Sequence, residues 1–254
     1  MVVRAPSGRT GIHIKNGDTM KNDKISIWRI LDVSNTGMSI GVWSTIACAI
    51  VTAFLIILSI DRDLYMKLAE EGTNTERLTS IFYLVAGVLF LILGWRNYRQ
   101  THSLETLLFP LLFGLFFLFI AGEEESWGQW LFYYDAPAAF KDMNTQQEVN
   151  IHNLSLFASL LSPHTVLNLV ALLIGVLMPL GYRFIAPLRR LANAIHFPVS
   201  PLACVLLFFL GLLYERAAGA VYHQWANAEI REFIFSLGFL LFAVSAYWRR
   251  NRLE

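Results

Sequence analysis

Residues 104–127 read LETLLFPLLFGLFFLFIAGEEESW and decide the fold. The block Thr106–Gly122 contains no charged residue and is followed at once by three glutamates, Glu123–Glu125. About 20 predominantly apolar residues in helical form cross a bilayer core of about 30 Å. The stretch therefore predicts a membrane-spanning helix that ends where the glutamates reach the head groups.

Five further blocks have the same uncharged character. Together they predict six spans, at Val42–Ile60, Leu78–Trp95, Thr106–Gly122, Thr165–Tyr182, Phe197–Tyr214 and Phe233–Trp248. Because a backbone in lipid must satisfy its own hydrogen bonds, each block is expected to be an α-helix. The alternative for any one block is a re-entrant segment. The fold class is thus an all-α polytopic membrane protein.

The composition agrees with this fold. Of 254 residues, 56% are apolar and only 15% are charged, against about 25% charged in an average soluble domain. This excludes an ordinary soluble enzyme, a disordered chain and a disulfide scaffold. The net charge of +1 gives no indication of a nucleic-acid partner.

The small net charge conceals a sorting of charges between the two faces. The termini and the even-numbered connections carry 14 basic and 5 acidic residues, whereas the odd-numbered connections carry 6 basic and 14 acidic ones. Lys and Arg are enriched on the cytoplasmic side of membrane proteins. Both termini are therefore predicted to be cytoplasmic and the acidic face to lie outside.

This topology divides the chain into three parts. Residues 1–40 form a cytoplasmic tail, 41–248 a single six-helix membrane domain and 249–254 a second cytoplasmic tail. Within the first tail, residues 25–33 are predicted to lie as a short interfacial helix or to form a mere lead-in to the first span.

The long outer connection between the third and fourth spans begins with Glu123–Glu125, and an aromatic run follows. Adjacent carboxylates repel one another, and here they lie at the negative end of a helix dipole. A cation or a positive partner would relieve this arrangement. The alternative is a solvated signal that stops the helix at the membrane surface.

The same connection continues with KDMNTQQEVNIHNLS at residues 141–155. In a helix, Glu148 and His152 would share a face at positions i and i+4, which suits a shared metal ion or a hydrogen bond between imidazole and carboxylate. One alternative is an extended strand, on which five side chains face the same way: Asn144, Gln146, Glu148, Asn150 and His152. The other is a hydrophilic loop with ordinary hydrogen bonds.

The fifth span contains ionisable residues, which are expensive inside a membrane and therefore suggest function. Ser200 and Pro201 predict its start as a helix cap followed by proline. Glu215 and Arg216 would then lie one or two turns below the outer surface. His223 would follow Glu215 eight residues later, on the same face of the helix. The alternative is that they only pair with neighbouring helices. Acidic residues at the start of the sixth span are a weaker signal, and His164 is either a ligand or simply interfacial.

These residues define the candidate site. Four of them are predicted to hold a divalent metal such as zinc: Glu124, Glu148, His152 and His223. Four are predicted to be catalytic: Glu123, Glu124, Gln129 and Arg216. In this scheme Glu123 and Gln129 orient the other groups, and Arg216 pairs with an anionic group such as phosphate. The spacing matches no tight metal or nucleophile motif.

Two segments of the outer connection carry a resemblance. The first is Gly122-Glu123-Glu124-x-Ser126-Trp127-Gly128-Gln129, and the second is Asn144-x-Gln146-x-Glu148-x-Asn150-x-His152-Asn153. The pair resembles a group of uncharacterised bacterial inner-membrane proteins with E-E-x-S-W-G-Q and N-x-Q-x-E-x-N-x-H-N signatures. The chain departs from the group in having Glu125 where an apolar residue is usual and Trp130 where a basic residue often follows. The resemblance implies a multipass protein of the bacterial inner membrane but names no reaction.

The preferred hypothesis is a membrane-embedded enzyme that acts on a lipid or lipid-linked substrate at the outer interface. Its most specific version is a metal-dependent enzyme. The alternatives are a cation or small-solute transporter with an acidic outer mouth, and a non-catalytic accessory subunit. Membrane lipids are the expected partners, and the oligomeric state is left open.

Overall fold

The computed structural model describes residues 37–69, 74–144, 149–151, 163–222 and 225–251. Within them every regular element is helical. The α-helices are α1 (Gly37–Ile60), α2 (Arg62–Ala69), α3 (Asn74–Thr101), α4 (Leu104–Glu124), α5 (Gln129–Phe132), α6 (Ala138–Met143), α7 (Pro163–Val170), α8 (Met178–Phe184), α9 (Ala186–Ala194), α10 (Val205–Val221) and α11 (Ala226–Asn251).

Six stretches are long and apolar enough to cross a membrane, which confirms the predicted fold class. We call them spans one to six, at Val42–Ile60, Thr75–Thr101, Leu104–Glu124, His164–Phe184, Leu202–Val221 and Ala226–Trp248. The helices continue past most of the predicted blocks because their polar ends remain helical. Span six was predicted to begin at Phe233. It begins earlier and therefore includes Arg231 and Glu232.

Span five is shifted along the chain relative to the predicted block. It was predicted to begin at Phe197, but its first turn is a 3-10 helix at Leu202–Cys204, with Pro201 at the capping position. Pro198 and Pro201 keep the preceding residues extended, because proline disfavours helical conformation in the residue before it. The predicted cap is also wrong in detail, since the Ser200 hydroxyl makes no capping hydrogen bond.

The spans meet at two chemically different ends. At what we call the acidic end, where spans one, three and five finish, the hydroxyl of Ser80 donates to the carbonyl of Ala121 at 3.1 Å. At the basic end, where spans two, four and six finish, Arg96 lies over the ring of Tyr247 at 5.4 Å. The connections in which acidic residues predominate and those in which basic residues predominate therefore lie at opposite ends of the bundle.

Span six is the centre of the bundle. In its most apolar window 67% of the residues are buried, against 17% in span one. Aromatic rings fill the space between spans two, three and six, with centroids 5.0 Å apart for Phe90 and Phe242 and 5.0 Å apart for Phe117 and Phe239. Charged residues near the start of span six consequently lie in the interior of the bundle.

Span four is interrupted by a π-helical segment, Ala171–Leu177. Pro179 has no backbone N–H, so the usual bond to the carbonyl of Gly175 is lost. The N–H of Met178 instead bonds to Leu173, five residues back. The wider turn brings the backbone of Gly175 against the ring of Phe208, where an added Cβ would lie 2.2 Å from the ring carbon Cγ.

Candidate functional site

The chain reverses direction immediately after span three. Ser126, Trp127 and Gly128 all adopt the left-handed conformation, with φ values of 44°, 55° and 85°. Such values are uncommon for residues other than glycine, and a run of them is strained. The strain is maintained because the turn directs the indole of Trp127 back onto span three, where its ring lies against Gly122.

Glu123 holds this turn together. Its side chain is buried, and its two carboxylate oxygens accept from the Trp127 indole Nε1 and from the backbone N–H of Ile151, both at 2.6 Å. Bonds to a charged acceptor are about twice as strong as neutral ones. Glu123 therefore ties the segment around residue 151 to the end of span three.

Three other side chains strengthen the same connection. Gln129 accepts from the backbone N–H of Val149 at 2.9 Å. Asn150 donates to the Ser126 hydroxyl at 3.2 Å, and Asn144 donates to the Asn150 side chain at 2.7 Å. The described residues of the two segments on which the family resemblance depends are thus joined by hydrogen bonds.

Three predicted metal ligands, Glu148, His152 and His223, lie outside the described residues. Glu123 and Gln129 contact the backbone of Ile151 and Val149, the immediate sequence neighbours of His152 and Glu148. The orienting role predicted for Glu123 and Gln129 stays a prediction. The two bonds are consistent with it, because they hold the backbone next to His152 and Glu148. Among all the described residues, no group of three or more His, Cys, Asp or Glu side chains is placed to hold a metal ion.

A second polar cluster links spans four, five and six at the acidic end, and Arg231 is its centre. The Arg231 side chain is only 1% exposed. One terminal nitrogen, Nη1, donates to Glu215, and the other, Nη2, donates to Glu232 at 2.8 Å. One buried cation therefore binds two carboxylates from different parts of the bundle.

His164 joins this cluster from the start of span four. Its Nδ1 lies 2.8 Å from the Glu232 carboxylate and 3.1 Å from Arg231 Nη2. Half of the His164 side chain is exposed, whereas the Glu232 side chain is 11% exposed. With its proton on Nδ1, the imidazole donates to Glu232 and leaves the Nε2 lone pair unoccupied.

Tyr83 and Glu124 extend the cluster towards span three. The Tyr83 hydroxyl is buried without a hydrogen-bond partner, and its charged neighbours are Glu124, Glu232 and Arg231. Glu124 is repelled by Glu232 and Glu229. Of the three adjacent glutamates, Glu123 therefore binds the connection between spans three and four, and Glu124 is directed towards the charged cluster.

The structure assigns the buried guanidinium to a residue that the sequence analysis passed over. Arg216 is exposed, whereas Arg231 is buried and paired. The contact of Glu215 with Arg231 of span six matches the alternative given for Glu215, namely pairing with a neighbouring helix. The available signal was two adjacent ionisable residues, Arg231 and Glu232, in a stretch long and apolar enough to be a span.

A third group of polar side chains closes the acidic end beside the cluster. The Tyr65 hydroxyl donates to Asn227 at 2.8 Å and lies 3.1 Å from the hydroxyl of Tyr214. Burial raises the pKa of Tyr65 from 10.0 to about 12, and the hydrogen bond with Tyr214 opposes part of that rise. These contacts attach α2 to spans five and six.

The chain matches none of the protein-family models, none of the curated proteins and none of the solved structures with which it was compared. The resemblance to a bacterial membrane family accordingly rests on the two motif segments alone.

Proposed function

We propose that the protein is a membrane-embedded enzyme that performs general acid–base chemistry on a lipid or lipid-linked substrate at the outer face of a bacterial inner membrane. The observation that carries the proposal is the half-exposed His164 held at 2.8 Å by the carboxylate of Glu232, itself bound by the buried Arg231.

The arrangement has the parts that proton transfer requires. A general base must be oriented, and a hydrogen bond from its far nitrogen to a carboxylate fixes both its tautomer and its direction. Glu232 does this for His164. Arg231 in turn stabilises Glu232 as an anion. The exposed edge of the imidazole is left to accept or donate a proton.

The depth of the cluster favours a lipid substrate. Aromatic side chains are enriched where the hydrocarbon meets the head groups. Trp127, Tyr133 and Trp225 are all exposed at the acidic end. His164 begins span four at this same end, so its exposed edge lies where the head groups of lipids or of lipid-linked precursors are bound.

A transporter remains the alternative because Glu124 and its neighbouring carboxylates could gather cations. The packing below Tyr83 favours the enzyme. Phe90, Phe117 and Phe239 are fully buried there, and their rings are packed against one another or against neighbouring aromatic rings. A continuous polar pathway would have to displace these rings, whereas a site confined to one end does not.

The experiment compares membrane lipids by mass spectrometry in a bacterial host that overproduces the wild type, His164→Gln or Glu232→Gln. We expect a lipid or lipid-linked species to accumulate or disappear with the wild type and to return towards the host level with both variants. His196→Asn is the matched control, because His196 is exposed at the basic end in the left-handed conformation, which asparagine tolerates.

A lipid profile that is the same with wild type, His164→Gln and Glu232→Gln would contradict the proposal. Ion flux in liposomes that contain the purified protein would support the transporter, and a periplasmic protein that co-purifies would support an accessory subunit.

The metal is tested separately. We expect the purified wild type to contain a stoichiometric divalent metal, measured by elemental analysis, and Glu124→Gln and His152→Ala to contain less. Equal and negligible metal in all three proteins, with an unchanged lipid profile in both variants, would contradict the metal site predicted from the sequence. The proton-transfer chemistry of His164 would still be judged by the lipid experiment.

A further inference from the structure

A cavity of about 210 Å³ lies at the basic end, between the end of span four and the start of span five. A water molecule takes up about 30 Å³ in the liquid, so the cavity has room for a small polar group. Four of its lining residues have polar side chains: Tyr182, Arg183, Arg189 and Ser200. It is at the opposite end of the bundle from the His164 cluster.

Ser200 gives the cavity an unused hydrogen-bonding group. The residue is 2% exposed, and its hydroxyl has no hydrogen-bond partner. A buried hydroxyl without a partner costs free energy, and such groups are usually satisfied by a ligand or an ordered water. Because Ser200 lines the cavity, a group bound there could accept the hydrogen bond that its hydroxyl does not make within the protein.

The two arginines give the cavity a positive charge. In the part of the chain that the structure describes, neither Arg183 nor Arg189 forms an ion pair with a carboxylate. The guanidinium of Arg183 lies 5.9 Å from the Phe184 ring centroid. Guanidinium groups match the oxygens of a phosphate, to which they donate parallel hydrogen bonds.

The wall of the cavity is fixed, and its rim is apolar. The Tyr182 hydroxyl donates to Asn193 of α9 at 2.9 Å, which ties the wall to that helix. Next to the arginines, Phe184, Ile185 and Leu191 are exposed. A charged pocket beside exposed apolar side chains at the end of a span fits a ligand with a phosphate and an acyl chain.

We propose that this cavity binds the phosphate of an anionic phospholipid in the leaflet at the basic end. Arg183 and Arg189 neutralise the phosphate, and the Ser200 hydroxyl donates to one of its oxygens. The positive-inside rule assigns this end to the cytoplasm, and the cytoplasmic leaflet is rich in anionic lipids. The proposal is independent of the chemistry proposed for the acidic end.

The test measures lipid binding to the delipidated full-length protein by native mass spectrometry in detergent. Phosphatidylglycerol is the anionic probe, phosphatidylcholine the zwitterionic one, and inorganic phosphate the soluble one. We expect phosphatidylglycerol to bind at least about tenfold more weakly to Arg183→Gln/Arg189→Gln, because two charge-assisted bonds are lost. Ser200→Ala should weaken binding by several fold.

Arg190→Gln is the matched control, since Arg190 is exposed beside Arg189 but does not line the cavity. It should bind phosphatidylglycerol like the wild type. Equal binding by the wild type and the double variant overturns the proposal, as does equal binding of both lipids by the wild type. If millimolar inorganic phosphate displaces phosphatidylglycerol, the cavity binds phosphate, but its assignment to a lipid is overturned. Thermal unfolding of each variant separates loss of binding from loss of fold.

Discussion

Replacing Arg231 with methionine removes the one cation that joins Glu215 and Glu232. The side chain is 1% exposed, and Glu232 is 11% exposed, so solvent cannot replace the lost charge around Glu232. Breaking a buried ion pair from one side costs about 3–5 kcal/mol. Glu215 is 45% exposed and is partly screened, which places the expected loss near the lower limit, at about 3 kcal/mol.

The assay is thermal unfolding of the purified protein in detergent. For chains of this size, 1 kcal/mol corresponds to about 2–4 °C, so we expect Arg231→Met to lower Tm by about 6–12 °C. Arg216→Met is the matched control, because Arg216 is exposed at the same end. Its Tm should stay within about 2 °C of the wild type, as for most surface changes.

The double variant Arg231→Met/Glu232→Leu distinguishes an electrostatic loss from a packing loss. Apolar residues can replace a whole buried ion pair at little cost or with a gain. The double variant should therefore be more stable than Arg231→Met alone. If it is less stable, or if Arg231→Met unfolds at the same temperature as Arg216→Met, the ionic description of this cluster is wrong.

Three further predictions concern other parts of the fold. Between pH 10 and 12 the folded protein keeps the Tyr65 proton that the unfolded chain releases. The free energy of unfolding should therefore fall as pH rises through this interval, by about 3 kcal/mol. Tyr65→Phe should remove this part of the pH dependence of Tm. Glu123→Ala removes the acceptor of the Ile151 N–H, so hydrogen exchange at Ile151 should accelerate. Gly175→Ala places a Cβ 2.2 Å from Phe208 and should cost about 1–3 kcal/mol in thermal unfolding.

Each of these has a matched control. Glu125→Ala should leave exchange at Ile151 unchanged, and equal exchange in both glutamate variants would show that Glu123 does not hold the connection. In Gly94→Ala the added Cβ lies 3.1 Å from Leu107 Cδ1 and 3.1 Å from Pro110 Cβ, farther than the nearest Phe208 atom in Gly175→Ala, and the change should cost less. A steep fall in Tm that persists in Tyr65→Phe would assign the alkaline transition to another group.

The number and class of the spans could be predicted because lipid imposes one strong condition, that the backbone satisfies its own hydrogen bonds. Boundaries were less accurate, for a local reason in each case. Span six was predicted to begin at Phe233 because Arg231 and Glu232 are charged, yet they pair within the bundle. Span five was predicted from Phe197 because hydropathy does not register the two prolines ahead of Leu202.

The candidate site was predicted in part, because the sequence gives depth along a helix but not rotation about it. Glu215 and Arg216 have nearly the same depth, but consecutive residues differ by about 100° around the helix axis. Glu215 reaches span six, and Arg216 points away. Glu123 illustrates the same limit, since its bond to a residue 28 positions later follows from no local pattern.

The charge sorting that gave the topology also bears on how each end interacts with its surroundings. At the acidic end the protein supplies its own counter-charge, since Arg231 binds Glu215 and Glu232 inside the bundle. Because Arg231 pairs with Glu232, that carboxylate can keep a half-exposed histidine oriented without a bound ligand. At the basic end, Arg183 and Arg189 line a cavity without carboxylate partners among the described residues. An anion from outside the chain can balance their charge, and a lipid phosphate is the anion that the membrane offers at that depth.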